Sequence, residues 1–384
     1  MPRRPRLIAL SLVLVLVPAS YFVVRGRQIA CVSRPASAPV AARWAGAAAR
    51  ARTIACEKLA PEIPGFALAV AVDGQVVWSE AFGYADLDAK RIATPATQFR
   101  IGSVSKPFTA AAVAQLYETG RLDLDVPVQR YVPTFPDKGA RITTRLVGGH
   151  LAGIRHYQGD EFTMNRRFAT VTDGLSIFAN DSLLSPPGTR YSYSTYGFNL
   201  LSAVVEGASG EQFLVYMSRH VFGPLHMTST APDKNDSLIP NRTRFYERRG
   251  RLRGGGFVVA PTVDNSYKWA GGGFLSTAED LVRFGSAHLA PGFLKGATLE
   301  LLFTPQHTSA GEATPYGIGW FVRTDTLGHR EVYHGGGSVG GTTAFGVDRD
   351  SHIVFALVTN LSDARLAPAQ EIRAVFDSVA SQRD

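Results

Sequence analysis

Apolar runs with strand character stand at both ends of this chain, and helical periodicity fills the space between them. Near the start, "GFALAVAVDGQVVWSEAFGYAD" sets two such runs around Asp73-Gly74, the two-residue signature of a β-hairpin. Near the end, "YGIGWFVR", "REVYHGGG", "TTAFGVDR" and "HIVFALVTN" follow one another through turns. The simplest fold that satisfies both ends is one antiparallel sheet built from the two halves of the chain. Helices then cover its faces and a helical lobe, about 107–306, is inserted in the middle. This is an α+β architecture.

Helices bracket and fill that plan. Residues 41–59 read as the first helix and "APAQEIRAVFDSVASQ" as the last. In the lobe, "TAAAVAQLYETG" ends at Gly120 and "STYGFNLLSAVVEGASG" at Gly207 and Gly210. "STAEDLVRFGSAHL" has Ser276 or Thr277 as N-cap, with Glu279 and Asp280 in its first turn. The stretch "NRTRFYERRGRLRGGG" reads as a charged, glycine-rich surface loop.

The N-terminus is of another kind. Arg3, Arg4 and Arg6 precede 18 uncharged residues, Leu7–Val24, and Arg25 and Arg27 follow. Residues 1–27 therefore read as an export signal or membrane anchor, 28–42 as a linker, and 43–384 as the folded domain. The expected setting is extracytoplasmic (periplasmic) and membrane-tethered. An organellar, mitochondrial address is the alternative for such an arginine-rich, acid-free leader.

The net charge of +8 belongs to that leader. After residue 56 the chain has 31 basic and 32 acidic residues. A near-neutral body without a basic stripe is not that of a nucleic-acid binder. Cys31 and Cys56 could form a disulfide in an oxidising compartment or stay as two thiols. The nine histidines show no metal-ligand spacing, so neither a metal nor an organic cofactor is inferred.

One short segment carries chemistry. "FRIGSVSKPFTAAAVAQLYETG" holds the only S-x-x-K of the chain, Ser103 to Lys106. Pro107 is comfortable only in the first turn of a helix, which puts Ser103 at or beside the helix N-terminus. Residues three apart share a helix face, so Lys106 can reach back to the Ser103 hydroxyl. A serine nucleophile needs a base. An ordinary lysine titrates near ~10.4, so serving at pH 7 requires about 4 kcal/mol set against its ammonium form. Burial at the edge of a core can supply that. Two further groups come in the order such sites use. Tyr193-Ser194-Thr195 opens a helix, and His334-Gly335-Gly336 ends a strand.

"FRIGSVSK", "LDLDVPVQRYVP", "PGTRYSYSTYGFNLLSAVVE", "KWAGGGFLSTAEDLVRFG" and "HGGGSVGG" together resemble the serine β-lactamase-related family. That family groups class C β-lactamases, D,D-peptidases and esterases. "GIRHY" and the Tyr-Ser-Thr form of the second motif look closest to the mitochondrial serine β-lactamase-like proteins and their bacterial relatives. The resemblance covers about residues 65–360. It implies a β-lactamase/transpeptidase-like fold and a serine hydrolase acting on a small-molecule or peptide ester or amide. It also implies a peptidase-like activity linked to lipid metabolism.

By the same resemblance, Ser103 would be the acylated nucleophile and Lys106 its base. Tyr193 would carry the proton to the leaving group, its ionisation aided by Lys106. The amides of Ser103 and Gly337 would form the oxyanion hole. His334 would bring positive charge or a donor to a substrate carboxylate, with Gly336 and Thr195 on the substrate-binding side. Thr195 stands where the family has asparagine, and Gly335 where it has threonine. "VGGHLAGI" puts His150 on a loop of its own. The first two departures speak against efficient β-lactam hydrolysis. Two rivals remain on this reading: a β-lactam trap with slow deacylation, and a scaffold of the same fold. The G-x-S-x-G match at Gly336–Gly340 fails as a nucleophile elbow, because a strand follows it and not a helix.

Overall fold

The computed structural model describes residues 31–250, 256–324 and 328–382. The apolar run Leu7–Val24 lies outside them. Among the described residues no helix is long and apolar enough to cross a membrane.

The sheet is antiparallel and drawn from both halves of the chain. Its strands run in the order 33–35, 75–86, 65–72, 353–359, 341–348, 330–338 and 321–324, with 91–92 paired beside 75–86. The two halves join where Gly65–Val72 pairs with Ile353–Thr359, Phe66 opposite Thr359 and Val72 opposite Ile353. Side chains alternate across this seam. Phe66, Leu68 and Val70 point to an outer layer shared with Trp78, Phe355, Leu357 and Phe376. Helices Ala42–Ile54 and Pro368–Ala380 cover that face. Ala67, Ala69 and Ala71 point the other way, into the core of the helical lobe. These small residues let helix Ala278–Ser286 lie close against the sheet.

Several elements differ from the sequence reading. Residues 33–35, within the stretch read as a linker, form an edge strand opposite Glu80–Phe82. Cys31 is bonded to Cys56 with Cα atoms 5.3 Å apart, which fastens that strand to the end of the first helix. Gly207 does not end the helix Thr195–Ser209. It sits inside because the Tyr131 carbonyl leaves no room for a Cβ, and the stop falls on Gly210, at φ +70°. The arginine-rich loop holds a short strand, Tyr246–Arg248, paired with Phe257–Val259 just after the loop. Of "YGIGWFVR" only the last three residues are strand, the start of Phe321–Thr324.

Candidate active site

Ser103 lies in a single 3-10 turn, Gly102–Val104, that runs directly into helix Ser105–Glu118. Lys106 and Pro107 occupy the first turn of that helix, as the proline requires. Two close approaches hold the turn. A Cβ on Gly336 would fall 2.0 Å from the Ile101 carbonyl, and one on Gly102, at φ +51°, 2.5 Å from the Gly337 carbonyl. The strand Arg330–Ser338 is thereby pressed, backbone to backbone, against the turn that carries Ser103. The Ser103 amide, in a first turn, has no intrahelical acceptor, and Gly337 shares with Ser103 the wall of one cavity.

Lys106 is completely buried. Its Nζ lies 3.0 Å from Ser103 Oγ, 3.2 Å from Thr195 Oγ1 and 2.7 Å from the Gly271 carbonyl. The Tyr193 and Phe198 rings stand 4.9 and 5.5 Å away. None of these contacts is a carboxylate. Burial first, and the nearby charge of Lys268 second, hold its pKa well below the ordinary lysine value. In the free-base form two N–H bonds go to Thr195 and Gly271, and the lone pair faces the Ser103 hydroxyl.

Tyr193 is half-buried, with its hydroxyl hydrogen-bonded to Ser103. Burial pushes its pKa well above the usual tyrosine value and the bond to Ser103 only partly offsets this. The help to its ionisation expected from Lys106 is therefore outweighed, and the resting phenol keeps its proton. His150, at φ +60°, packs tilted against Tyr193, with ring centroids 4.3 Å apart, and accepts the Ser194 amide on Nδ1 at 3.1 Å. It is a support for the Tyr193 segment.

His334 does not take the place expected of it. It is 1% exposed, with Nδ1 2.6 Å from the Gly335 carbonyl and Nε2 2.9 Å from the Tyr316 hydroxyl. Burial, with Lys106 adding to it, lowers its pKa to about 3. It is a neutral, internally bonded imidazole and brings no positive charge to a substrate. Gly336 is likewise a packing residue against Ile101 and does not line the cavity.

The cavity that opens on Ser103 has a volume of about 240 Å³. Thr195 and Gly337 line it as expected positions, and His156, Tyr157, Phe162 and Lys268 line it without having been singled out. The segment 156–162 is held by Glu161, which pairs with Arg155 at 2.7 Å and accepts from the Tyr196 hydroxyl at 2.8 Å. Tyr267 donates to the Glu161 carbonyl at 2.6 Å. His156 accepts the Thr195 amide on Nδ1 at 3.2 Å, and burial lowers its pKa to about 4. "GIRHY" and "KWAGGG" were the available signals for these residues, but neither says which side chain faces the nucleophile. Among the described residues no group of three or more His, Cys, Asp or Glu side chains is placed to hold a metal ion.

Comparison with known proteins bears on the fold and the family. The family described as Beta-lactamase matches residues 51–378. The mitochondrial serine beta-lactamase-like protein LACTB of Homo sapiens is 35% identical over 374 residues, covering 73% of this chain and 68% of that protein. The octameric penicillin-binding protein homologue from Pyrococcus abyssi superposes with a TM-score of 0.71 at 26% identity, over 85% of this chain and 76% of that one. A D-stereospecific amidohydrolase from Streptomyces sp. shares the fold, with a TM-score of 0.68 at 23% identity over 80% of this chain and 93% of its own. The family match over most of the chain, the curated relative at 35% identity and the shared sheet-and-lobe fold agree: the chain belongs to the β-lactamase family and is a serine hydrolase.

Proposed function

We propose that the protein hydrolyses an ester or amide, peptides included, through an acyl-enzyme on Ser103. The observation that carries this reading is the 3.0 Å contact between Ser103 Oγ and a buried lysine with no carboxylate beside it. In this mechanism Lys106 takes the Ser103 proton as Oγ bonds to the substrate carbonyl carbon. The amides of Ser103 and Gly337 receive the oxyanion. Tyr193, protonated at rest, hands its proton to the leaving group and takes in return, from the Lys106 ammonium, the proton that Lys106 removed from Ser103. Water then attacks the acyl ester by the same route in reverse, and Ser103 regains its proton.

Intact-mass analysis of the full chain tests this. Wild type, Ser103→Ala and Lys106→Ala are each incubated with a fluorophosphonate and, separately, with a penicillin. A fluorophosphonate adduct on wild type alone is expected. Equal labelling of all three proteins, or of none, favours a silent scaffold of the same fold. The lifetime of any penicillin adduct separates turnover from trapping.

The same reading takes Leu7–Val24 as an export signal or anchor. The Cys31–Cys56 bridge supports an oxidising compartment, and the likeness to a mitochondrial relative supports an organelle in a eukaryotic host. Cell fractionation decides between them.

A further inference from the structure

Lys268 is a second buried cation beside Ser103, and the acyl-transfer steps above have no task for it. It is 2% exposed and lines the same cavity as the nucleophile. Among the described residues its ammonium makes one hydrogen bond, to the Phe162 carbonyl at 3.4 Å. The Phe162, Tyr267 and Tyr157 rings surround Nζ at 4.8, 5.1 and 5.6 Å. An ammonium has three donors, and burying it without an anion is costly. The acid that acts on it most, Asp233, is already engaged by Arg100, Arg242 and Asn265. A structural ion pair therefore does not account for Lys268.

A second donor faces the same space. His156 lines the cavity, and because its Nδ1 accepts from the Thr195 amide, the neutral ring carries its proton on Nε2. Among the described residues no carboxylate lines this cavity. Its 240 Å³ holds about eight waters at ~30 Å³ each. The arm that reaches from the acylated Ser103 to Lys268 must fit such a space, so that arm is short.

We propose that Lys268, assisted by His156, is the receptor for a carboxylate carried on a short arm of the substrate's acyl group. The preferred substrates are then monoacyl derivatives of short dicarboxylic acids, or acyl groups of similar size and charge. The aromatic walls exclude water from the ion pair, and the charge of Lys268 itself rejects a cationic arm. This inference rests on the acyl-enzyme reading above.

The test uses p-nitrophenyl esters of matched length whose acyl arm ends in a carboxylate, its methyl ester, or a trimethylammonium group. They are assayed at pH 6.5 on wild type, Lys268→Met and Lys268→Arg, with thermal melts to establish folding. Wild type is expected to rank carboxylate over methyl ester over trimethylammonium in kcat/KM. Lys268→Met should reduce the carboxylate-to-methyl-ester ratio by about 10–100-fold, the usual loss of a charge-assisted contact, mainly through KM. Lys268→Arg should restore most of the ratio. If fluorophosphonate labels Ser103 but wild type and Lys268→Met show the same ratio, or wild type prefers the cationic arm, the receptor role is overturned and the acyl-enzyme stands. If wild type does not label, the acyl-enzyme reading fails and the receptor role with it.

Discussion

Lys268 carries a cost that can be read in stability. Burial, with Arg100 adding to it, lowers its pKa to about 7 from an ordinary 10.5, Asp233 opposing only in part. For a basic group with a depressed folded pKa, the unfolded chain binds more protons between those two values. Stability therefore rises with pH across that window, and the penalty is full below pH 7. Lys268→Met removes the penalty, which amounts to a few kcal/mol. Its melting temperature is expected to exceed that of wild type at pH 6, with the gap closing towards pH 10. A constant gap, or a less stable variant, would contradict a buried ammonium. His334 has the opposite character. Replacing it with Ala strands the Tyr316 hydroxyl at a cost of about 1–3 kcal/mol, seen as a lower urea midpoint, while the carboxylate-to-methyl-ester ratio stays put. The Ser103–Lys106 pair was legible because Pro107 fixes where the helix begins. Lys268 was not, because a lone lysine before Trp269 looks like a solvated head. Its burial comes from Tyr157 and Phe162, more than a hundred residues upstream.

At the scale of elements, the contact between strand Arg330–Ser338 and the turn Gly102–Val104 sets where the Gly337 amide stands relative to the Ser103 amide, the two proposed oxyanion donors. Gly336→Ala places a methyl 2.0 Å from the Ile101 carbonyl, so the strand must move. Activity is expected to fall by ~10²–10³, as on loss of an oxyanion donor, with a destabilisation of about 1–3 kcal/mol. Gly337→Ala is the contrast, since its Cβ meets nothing within 4 Å. It should melt with wild type, and any loss of activity should grow with the size of the acyl group. Steady-state kinetics on short and long p-nitrophenyl esters, with melts on both variants, separates these cases. The two-residue turn at Asp73-Gly74 and the last helix were readable because local pattern dictates both. The HGGG stretch pointed to a strand end, but its glycines divide the work in a way that alternation alone does not reveal. Gly336 faces protein backbone and Gly337 faces the cavity.

Over the whole molecule, the sheet separates two layers with different tasks. The helical lobe on one face holds Lys106, Lys268 and the segment 156–162, and the terminal helices on the other hold the N-terminal strand through Cys31–Cys56. That both chain ends contribute strands was visible from the change of period. That residues 33–35 join them was not, since Pro35 and small neighbours read as linker, and only the sheet edge and the disulfide order them. The bridge spans 25 residues, and closing a loop of that length is worth about 3 kcal/mol in the chain-entropy account. The double variant Cys31→Ser/Cys56→Ser should lose that stability in urea titration. Its ester hydrolysis at 25 °C should match wild type, because the sheet stands between the bridge and Ser103. An equal loss of activity in fully folded protein would mean that the outer layer is coupled to the site through the seam between Gly65–Val72 and Ile353–Thr359.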